Sequence, residues 1–526
     1  MIQKRNLSAL SRSVFRRPDR RQPGQPGRDR RAVRHPGPAG RYRLTEPRQV
    51  VVVGGGIAGL AAATVLAERG AKVTLLESAD RLGGRVAAWP LGDGRTMSRG
   101  FHAFFRQYYN LRGLLRRTDP ALRRLIDIGD YPLQRPGGLR DSFASLPTTP
   151  PWSILEFVRQ SPTFTLKSLA GVDVRSALEL LRVRFPQTFS DYDGESAADF
   201  LDRLRFPRAA RDLALEVFAR SFFADPREFS AGELVSMFHT YFLGSAEGLV
   251  FDVPDDDYDT VLWRPLATFL NDLGTEIRTS SRAMIISFGV GGVRVTIDGG
   301  AELGADAVVL ATDPRVAREL IAGVSLAGVP EDLSWRGRVA ATVNAPPFIV
   351  VRLWLDGLVA ADRPAFLATS GYGPLDNVSV LERFESGAAA WSAQNGGSVV
   401  ELHAYACDPA VTGDQAAADA VVGDLERQLR AVFPEVTGLG VREREVLVRD
   451  DCTLIGPGRW ADRPGVVTPW PQLVLAGDWV RCDYPVALME RAATTGFLAA
   501  NKLLEGWGVA GQDLWTAPMR GLLAGR

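Results

Sequence analysis

VVVVGGGIAGLAAATVLAERGAKVTLLES, residues 50–78, is the segment from which the architecture of this chain can be predicted. Four consecutive valines are typical of a buried strand, and the glycine-rich turn after them leads into small and apolar residues at helical spacing. A second apolar run, Val73 to Leu76, ends in Glu77. Strand, turn, helix and strand in this order form a βαβ unit, which predicts an α/β fold with a parallel sheet.

Three glycines in this unit indicate a dinucleotide site. Gly54, Gly56 and Gly59 form the pattern GxGxxG between the strand and the helix. The first allows the tight turn, the second lets a pyrophosphate approach the backbone, and the third lets helix and strand pack closely. Glu77 follows by roughly twenty residues, where a carboxylate accepts from a ribose hydroxyl. This context favours FAD or NAD over NADP, and over the alternative of a glycine-rich turn with a solvated glutamate.

The segment Arg81-Leu82-Gly83-Gly84-Arg85 separates FAD from NAD. Glycines at this point let the backbone run close to the phosphate and ribityl region of a flavin. The two arginines can offset phosphate charge. The segment therefore predicts FAD, although a surface turn with two solvated arginines is the alternative.

Composition excludes several other classes of protein. Of 526 residues, 46% are hydrophobic and 23% are charged, which is ordinary for a folded globular chain. The net charge of +1 provides no general attraction to nucleic acid. The three cysteines and four histidines are scattered, so neither a disulfide framework nor a metal site is predicted. No apolar run reaches the roughly 18 residues of a membrane-spanning helix, so at most a peripheral membrane protein is expected.

The chain is long enough for two to four domains at roughly 150 residues each. An arginine-rich start with little apolar periodicity predicts a disordered basic tail. The inserted region that follows the βαβ unit is mostly helical in pattern, and the runs FIVVRLWL and SVVELHAYA suit an antiparallel sheet. The predicted organisation is a tail (1–46), a discontinuous FAD-binding domain (47–104, 255–328 and 445–508), a helical substrate and membrane lobe (105–254), a substrate-domain sheet (329–444) and a C-terminal tail (509–526).

Four segments together resemble the flavin amine oxidase and phytoene desaturase superfamily: VVVGGGIAGLAAATVLAERG, LLESADRLGGRV, ADAVVLATDP and LVLAGDWV…ALMERAATTGFLAAN. The resemblance covers about residues 48 to 505. It implies a Rossmann-type FAD-binding domain with an inserted mixed α+β substrate domain and a helical lobe. It also implies that Asp478 binds the pyrophosphate or ribityl chain, although a turn or helix-capping role is the alternative for that residue.

The same resemblance assigns the remaining cofactor contacts. Ala311 and Thr312 fall at the strand end under the cofactor, and Met489 falls in the helix whose N-terminus faces the flavin pyrimidine and stabilises negative charge there. The complete set of residues predicted to contact FAD is Gly54, Gly56, Ile57, Ala58, Gly59, Glu77, Ser78, Arg81, Gly83, Gly84, Arg85, Ala283, Ala311, Thr312, Gly477, Asp478, Ala487, Leu488 and Met489.

The segment GFHAFF (100–105), followed by Tyr108, Tyr109 and Asn110, resembles the GxHxFF…YxN signature of plant-type carotenoid desaturases. Together with GDYPL, DSFASLPTTPP and FDVPDDDYDT it is most similar to the bacterial carotene desaturase/methyltransferases, the isorenieratene synthase group. That group converts a β-ionone ring into an aromatic ring. The resemblance implies a carotenoid substrate.

Carotenoid oxidation restricts which side chains can take part. A hydrocarbon offers no lone pair or acidic proton, so a hydride must leave to the flavin and an allylic cation develops. Aromatic faces attract a cation by about 0.5–2 kcal/mol. The candidates for this role are Phe101, Phe104, Phe105, Tyr108 and Tyr109. His102 is the candidate base for the proton lost next, and a 1,2-methyl shift would explain methyl transfer without a donor. The alternative is that FHAFF is packed core with a hydrogen-bonded histidine.

Three further segments carry expectations. The acidic run from Asp255 to Asp259 predicts a solvated loop rather than a metal or base site, and Cys482 is expected to be a free thiol. The segment RSFFADPREFSAGELVSMFHTYFLGS (220–245) is the candidate for membrane docking and a substrate tunnel, with ordinary packed helix as the alternative. The expected location is cytoplasmic, peripheral on the bacterial cell membrane, with oxygen or a quinone as electron acceptor.

Three other functions stay open. A linear carotene desaturase acting on phytoene or ζ-carotene would share these motifs. A flavin amine oxidase would need a short aromatic box with a carboxylate, whereas a carotenoid needs a long apolar channel. A non-catalytic flavoprotein would bind FAD without turnover.

Overall fold

A computed structural model describes Gly27, residues 29–138, 140–142, 178–205, 222–289, 292–326 and 330–524, and five isolated residues between 147 and 159. The strands are β1 (Val33–His35), β2 (Gln49–Val53), β3 (Lys72–Leu76), β4 (Ala88–Gly92), β5 (Arg95–Ser98), β6 (Phe104–Phe105), β7 (Leu125–Ile126), β8 (Leu133–Gln134), β9 (Arg140–Asp141), β10 (Phe251–Pro254), β11 (Glu276–Arg278), β12 (Ala283–Gly289), β13 (Gly292–Ile297), β14 (Glu302–Ala305), β15 (Ala307–Leu310), β16 (Ser325–Leu326), β17 (Val343–Asn344), β18 (Phe348–Leu355), β19 (Phe366–Thr369), β20 (Asn377–Val380), β21 (Val399–Ala404), β22 (Val441–Arg449), β23 (Thr453–Leu454), β24 (Leu473–Leu475) and β25 (Leu514–Thr516). The helices are α1 (Ile57–Glu68), α2 (Tyr109–Leu115), α3 (Gln187–Asp191), α4 (Ala197–Arg203), α5 (Ala231–Phe238), α6 (Arg264–Asp272), α7 (Pro314–Ala322), α8 (Leu333–Ala340), α9 (Ser386–Asn395), α10 (Gln415–Val432) and α11 (Leu488–Gly506).

A five-stranded sheet in the order β11-β3-β2-β15-β24 carries the predicted βαβ unit. All of its pairings are parallel, and β2 lies between β3 and β15. Successive valines of β2 point to opposite faces, so Val50 and Val52 pack with α1 while Val51 and Val53 pack in a second cluster with β12 and β13. Burial of both faces explains the uninterrupted valine run. The strands come from the three ranges predicted to form the FAD-binding domain.

Helix α11 packs on α1 across the face of this sheet. Gly496 of α11 lies against Ala58 and Ala61 of α1, because a Cβ at Gly496 would meet the Ala58 carbonyl oxygen at 2.3 Å. Small residues on both helices thus permit a close approach. This contact fixes the N-terminus of α11 near the glycine-rich turn that precedes α1.

A seven-stranded sheet in the order β22-β18-β21-β20-β19-β8-β9 forms the second layer that shapes the site. The runs predicted as antiparallel strands are β18 and β21, which pair directly with each other. Every residue of β18 is buried. One face of the sheet packs against α10 through residues such as Leu353, Leu402 and Leu425. Residues of the other face line the cavity described below.

The chain termini correct the predicted tails. Residues 1–26 and 28 lie outside the described residues, but β1 pairs antiparallel with β25, so His35 opposes Leu514 and Val33 opposes Thr516. The prediction of a disordered tail up to residue 46 is therefore wrong for residues 29–46, and the predicted C-terminal tail from residue 509 contains a strand. Local sequence did not reveal this pair because each strand is only three residues long and their partners are separated by almost the whole chain.

The predicted helical lobe is mixed in structure. Between residues 105 and 254 the described part holds α2 to α5 together with short strands, and β8 and β9 extend the seven-stranded sheet. Most of the range 143–177 and all of 206–221 lie outside the described residues. Most of the regular structure described in this range is helical, and the short strands are features that the sequence pattern did not predict.

From residue 222 onward, the segment 220–245 is mostly buried in the protein interior. Residues Ala231–Met237 of α5 are all buried, and Leu234 and Val235 are fully inside the main hydrophobic cluster. The packed-helix alternative thus describes α5, whereas Phe222 and Phe223 line the cavity described below. Membrane docking by this segment stays a prediction. In the described part of the chain, no helix combines the length and apolarity needed to cross a bilayer.

Candidate functional site

One cavity of about 970 Å³ extends from the glycine-rich turn after β2 to the seven-stranded sheet. It opens at the carboxyl ends of β2, β3 and β15, the edge at which parallel sheets bind nucleotides. All residues predicted to contact FAD line it except Gly59. The sequence motifs, which range from Gly54 to Met489, are therefore brought to one place by the order of the strands.

Two glycines of the motif are required by the backbone. Gly54 adopts φ +112°, and a Cβ there would meet the Ala311 carbonyl oxygen at 2.5 Å. A Cβ at Gly59 would lie 1.9 Å from the Gly54 carbonyl oxygen, so this glycine allows α1 to start against the turn. Gly56, by contrast, meets only Gly84 at 3.8 Å and lines the cavity. These distances agree with the packing roles predicted for Gly54 and Gly59, and approach of a pyrophosphate at Gly56 stays a prediction.

Glu77 at the end of β3 holds the turn from below. Its Oε2 accepts from the Gly55 N–H at 2.7 Å and its Oε1 accepts from the Ala79 N–H at 2.8 Å. The Ser78 hydroxyl also donates to Oε1 at 3.3 Å. A carboxylate has about four acceptor positions, so one remains after these three bonds. Glu77 lines the cavity, and binding of a ribose hydroxyl there stays a prediction.

Arg85 and Asp478 form a two-pronged ion pair across the cavity wall. The two Arg85 Nη atoms lie 2.5 and 2.9 Å from the Asp478 carboxylate oxygens, and the Thr453 hydroxyl donates to Oδ1 at 3.0 Å. Burial alone would raise the pKa of Asp478, but Arg85 and Thr453 hold it below its ordinary value. Asp478 is thus an ionised acceptor whose position is fixed by an arginine, which suits a hydroxyl-rich ribityl chain.

Replacing Arg85 with alanine should release FAD. The change leaves Asp478 buried without its cation, a loss that costs about 3 kcal/mol in comparable buried pairs. We expect the purified Arg85→Ala chain to carry well under one FAD per chain by absorbance and to melt earlier than wild type. Arg278→Ala, which breaks the exposed pair with Glu276, should change stability by less than about 1 kcal/mol. Full FAD content in Arg85→Ala would contradict the assignment.

The N-terminus of α11 enters the cavity through Ala487, Leu488 and Met489. Leu488 has φ +53°, a left-handed conformation that costs a leucine about 1 kcal/mol or more and is found at binding sites that hold it. The unpaired N–H groups of a helix start favour negative charge in front of them. This arrangement fits the pyrimidine end of a flavin, as predicted.

A buried hydroxyl at the end of β15 gives independent support for a bound cofactor. The Thr312 hydroxyl is buried at the end of β15 and has no hydrogen-bond partner among the described residues, yet Thr312 lines the cavity. A buried hydroxyl without a partner is costly, so a ligand that bonds to it would be stabilising. Thr312 was predicted to lie under the cofactor.

The other end of the cavity is aromatic. Phe101 stacks on Phe366 with ring centroids 4.3 Å apart, and Phe105 lies edge-on to Tyr241 at 4.6 Å. Among the candidates for cation stabilisation, Phe101, Phe105 and Tyr108 line the cavity. Phe104 and Tyr109 do not, since both are buried in other packing, and this corrects the expectation for them. Phe104 points to the opposite side of β6 from Phe105, as neighbours in a strand must.

His102 lies on the cavity wall with one nitrogen assigned by its partner. Its Nδ1 is 2.7 Å from the Gly100 carbonyl oxygen, which can only accept, so Nδ1 carries the hydrogen. No described residue bonds to Nε2. Burial lowers the pKa of His102 to about 4, against the bond to Gly100, which raises it. The imidazole is therefore neutral at pH 7 and offers an Nε2 lone pair, as a base requires.

A polar network that sequence reasoning missed lies behind the same wall. Arg352 of β18 and Glu401 of β21 are direct partners across the two strands, with Arg352 Nη2 2.6 Å from Glu401 Oε2. His403 lies two residues beyond Glu401, with its Nε2 2.8 Å from Glu401 Oε1, and its Nδ1 is 2.6 Å from the Tyr405 hydroxyl. The signal was available in the strand ELHAY, where Glu401, His403 and Tyr405 alternate with apolar residues and so share one face.

Glu385 is a second carboxyl beside Arg352, with Oε2 3.7 Å from Nη1. Burial raises the pKa of Glu385 to about 7; Arg352 opposes this shift and Glu401 adds to it. Burial would also raise the pKa of Glu401, but Arg352 and His403 outweigh it and lower that pKa to about 2. One guanidinium thus keeps Glu401 ionised, whereas the more distant Glu385 gains and loses its proton near pH 7. Burial likewise raises the pKa of Glu490 in α11 to about 8, despite N–H donors from Asn110 and Leu111.

These two glutamates predict a loss of stability at alkaline pH. Between an unfolded pKa near 4.5 and the raised folded values, the folded chain holds protons that the unfolded chain has released, so stability falls as pH rises. The lowered pKa values of His102 and His239, both about 4, act in the opposite direction only up to about pH 6.5. The free energy of unfolding should therefore fall by on the order of 2 kcal/mol from pH 6.5 to 8 in urea titrations.

Substitution identifies the contribution of Glu385 to that slope. Glu385→Gln cannot ionise, so its unfolding free energy should fall less between pH 6.5 and 8 than that of wild type. Equal slopes in the two proteins would contradict the raised pKa of Glu385.

The acidic run and Cys482 behave as structural elements. Asp255 pairs with Arg124 at 2.6 Å, Asp257 accepts from the backbone of Asp259 and Thr260, and Asp259 pairs with Arg264. Cys482 is a buried free thiol, and burial raises its pKa to about 11. Across the described residues no three His, Cys, Asp or Glu side chains are grouped as metal ligands.

Comparison with known proteins agrees with this geometry. The family of flavin containing amine oxidoreductases matches residues 57–504, and that of pyridine nucleotide-disulphide oxidoreductases matches residues 19–92. A carotenoid phi-ring synthase of Streptomyces griseus is 54% identical over 501 residues, covering 94% of this chain and 95% of that protein. Another, from Chlorobaculum tepidum, is 27% identical and covers 92% of each chain.

Among solved structures, cyclohexylamine oxidase of Brevibacterium oxydans IH-35A is similar with a TM-score of 0.63. The match covers 88% of this chain and 99% of that one at 16% sequence identity. At that identity the likeness concerns the fold alone.

Proposed function

Because the chain belongs to the flavin containing amine oxidoreductase family and is an FAD-dependent oxidoreductase, we propose that it desaturates the β-ionone ring of a β-carotene-type substrate. The reaction includes a 1,2-methyl migration and gives an aromatic, isorenieratene-type ring. The observation that carries this proposal is the 54% identity, over nearly the full length of both chains, to a carotenoid phi-ring synthase.

The aromatic end of the cavity supports the proposal chemically. Bound FAD supplies the two-electron acceptor for a hydride from the ring. Phe101, Phe105 and Tyr108 line the cavity, and a ring face turned toward the remaining cation would stabilise it by about 0.5–2 kcal/mol. A cation beside a carbon with two methyl groups can be relieved by movement of one methyl. His102 Nε2 then accepts a proton, and the C–H electron pair becomes a new double bond.

Substrate delivery supports a peripheral position on the bacterial cell membrane. Moving a forty-carbon hydrocarbon from the bilayer into water costs roughly 30 kcal/mol, at about 0.8 kcal/mol per CH₂. Direct transfer from the bilayer into the cavity avoids that cost. We propose a cytoplasmic-side location with oxygen or a quinone as the final electron acceptor, and a substrate end of the cavity built from the seven-stranded sheet.

Expression in a β-carotene-producing bacterial host tests the function. The extracted pigments are separated by chromatography and analysed by mass. We expect new species that are lighter by four hydrogens per altered ring with the carbon count unchanged. Matching loss of β-carotene in the same cells, compared with cells carrying an empty vector, makes the assignment quantitative.

Other outcomes identify the alternatives. Unchanged β-carotene with consumption of phytoene or ζ-carotene would replace the ring reaction by linear desaturation. Bound FAD that is reduced by amines but by no carotenoid would indicate an amine oxidase. FAD that no carotenoid and no amine reduces under anaerobic conditions would indicate a non-catalytic flavoprotein.

A further inference from the structure

Aromatisation removes two protons from each ring, whereas the lone pair of His102 accepts one proton at a time and at one position. Four hydrogens leave each ring, as two hydrides and two protons, and the protons come from different ring carbons. A base must lie within hydrogen-bond reach of the hydrogen it removes. A second acceptor at another point of the cavity wall could reach a ring carbon that His102 does not.

Tyr405 occupies such a position. It follows β21 directly and lines the cavity. Its hydroxyl is 2.6 Å from His403 Nδ1, and the Asn377 side-chain amide donates to the same oxygen at 3.1 Å. Asn377 lies on β20 opposite His403, so the pairing of these two strands sets the geometry. Phe223 packs edge-on to the Tyr405 ring at 4.7 Å.

The hydrogen of the Tyr405 hydroxyl points toward His403. Glu401 is ionised because it pairs with Arg352, so its Oε1, which lies 2.8 Å from His403 Nε2, needs a donor and places the imidazole hydrogen on Nε2. The Phe101 N–H also approaches Nε2, but at the longer distance of 3.3 Å, and the contact with the charged carboxylate is the stronger one. Nδ1 is then an acceptor, and the Tyr405 hydroxyl is its donor. Each member of the chain Asn377, Tyr405, His403 and Glu401 thus donates to the next.

The residues that hold Tyr405 in place are buried and paired with one another. Arg352, Glu401 and His403 are each at most 1% exposed. Arg352 also donates to the Ser98 hydroxyl at 2.9 Å and to the Thr96 carbonyl oxygen at 2.8 Å, which ties the sheet to β5. An anion held in this way stabilises an imidazolium next to it. The arrangement can therefore hold a proton at His403, which lines the cavity beside Tyr405.

We propose that Tyr405 is a second catalytic proton acceptor and that it serves one of the two dehydrogenations while His102 serves the other. After hydride loss, the Tyr405 oxygen takes a proton from the ring cation as its own proton moves to His403 Nδ1, and the C–H electron pair forms the double bond. The imidazolium is paired with Glu401 and later returns its proton to solvent through Tyr405. His403 and Glu401 are positioning and proton-holding residues. This inference rests on the proposed function.

Product analysis of single substitutions in the full chain tests the inference. Tyr405→Phe removes the hydroxyl and keeps the ring, and His102→Asn removes the other acceptor. In the β-carotene-producing host, one of the two variants should accumulate a species lighter by only two hydrogens per ring, and the other should leave β-carotene unconverted. His403→Asn keeps an acceptor near the Nδ1 position but cannot hold the proton, so it should reproduce the Tyr405→Phe products even if Tyr405→Phe folds poorly.

The matched control is Tyr372→Phe, which removes a buried hydroxyl near the same sheet and outside the cavity lining. It should convert β-carotene as wild type does. Wild-type product proportions in both Tyr405→Phe and His403→Asn, with FAD bound, would overturn the inference, and so would loss of all conversion in both Tyr405→Phe and His102→Asn. If the wild-type chain itself leaves β-carotene unchanged, the proposed function fails and this inference fails with it.

Discussion

The His102→Asn enzyme is expected to form the fully aromatised ring about 10²- to 10⁴-fold more slowly than wild type, the range over which a positioned base contributes. Asparagine places an N–H near the position of Nδ1, so the bond to the Gly100 carbonyl oxygen can be kept while the Nε2 lone pair is lost. FAD content and melting temperature should stay close to wild type. The measurement is aromatised carotenoid formed per FAD-loaded chain.

His239 provides the matched control for that experiment. It is also a buried histidine whose pKa is lowered to about 4 by burial, but its Nε2 donates to the Pro518 carbonyl oxygen and it does not line the cavity. His239→Gln should retain the rate per FAD-loaded chain. A His102→Asn enzyme that aromatises the ring at more than about a tenth of the wild-type rate would show that another group is the main base.

Gly59→Ala should abolish FAD binding. The new Cβ would lie 1.9 Å from the Gly54 carbonyl oxygen and 3.3 Å from Val52, so α1 has to move away from the turn that surrounds the pyrophosphate site. Neither contact is a flexible side-chain end, and overpacking of this severity costs about 3 kcal/mol or more. We expect a colourless or insoluble protein, measured as flavin absorbance per chain in the soluble fraction.

Gly423→Ala is the control for a glycine without such a neighbour. Gly423 lies exposed in α10, and a Cβ there meets nothing within 4 Å. Alanine is the better helix former, so this substitution should stabilise the chain by up to about 1 kcal/mol and leave FAD content unchanged. A yellow, soluble Gly59→Ala protein with full flavin content would show that the turn can absorb the displacement.

The cofactor half of the cavity could be predicted because its contacts are encoded locally. Gly54 and Gly56 are set by the strand, turn and helix around them, and the segment around Arg85 follows within one connection. Asp478 lies far away in the chain, yet it sits at the end of an apolar strand in the same sheet. Parallel strands bring their carboxyl ends to one edge of the sheet, so a motif that follows such a strand can be placed at that edge from the local sequence alone.

The substrate half was less accessible because it depends on pairing between distant strands. Arg352 and Glu401 meet only because β18 and β21 pair in one register, which local periodicity does not specify. The same limit applies to Phe104 and Phe105. Alternation shows that they face opposite sides of β6, but the irregular residues before them leave undetermined which one faces the cavity.

The order of strands in the five-stranded sheet has a consequence for biosynthesis. β2 and β3 are made within the first 76 residues, whereas β24 and α11 come from residues 473–506, so the ribosome has released most of the chain before the FAD cavity can close. The β1–β25 pair delays completion further, to residue 516. Nascent chains stalled before residue 473 should therefore bind no flavin, and they expose the β15 edge that β24 covers in the finished protein, the kind of unpaired edge that favours aggregation.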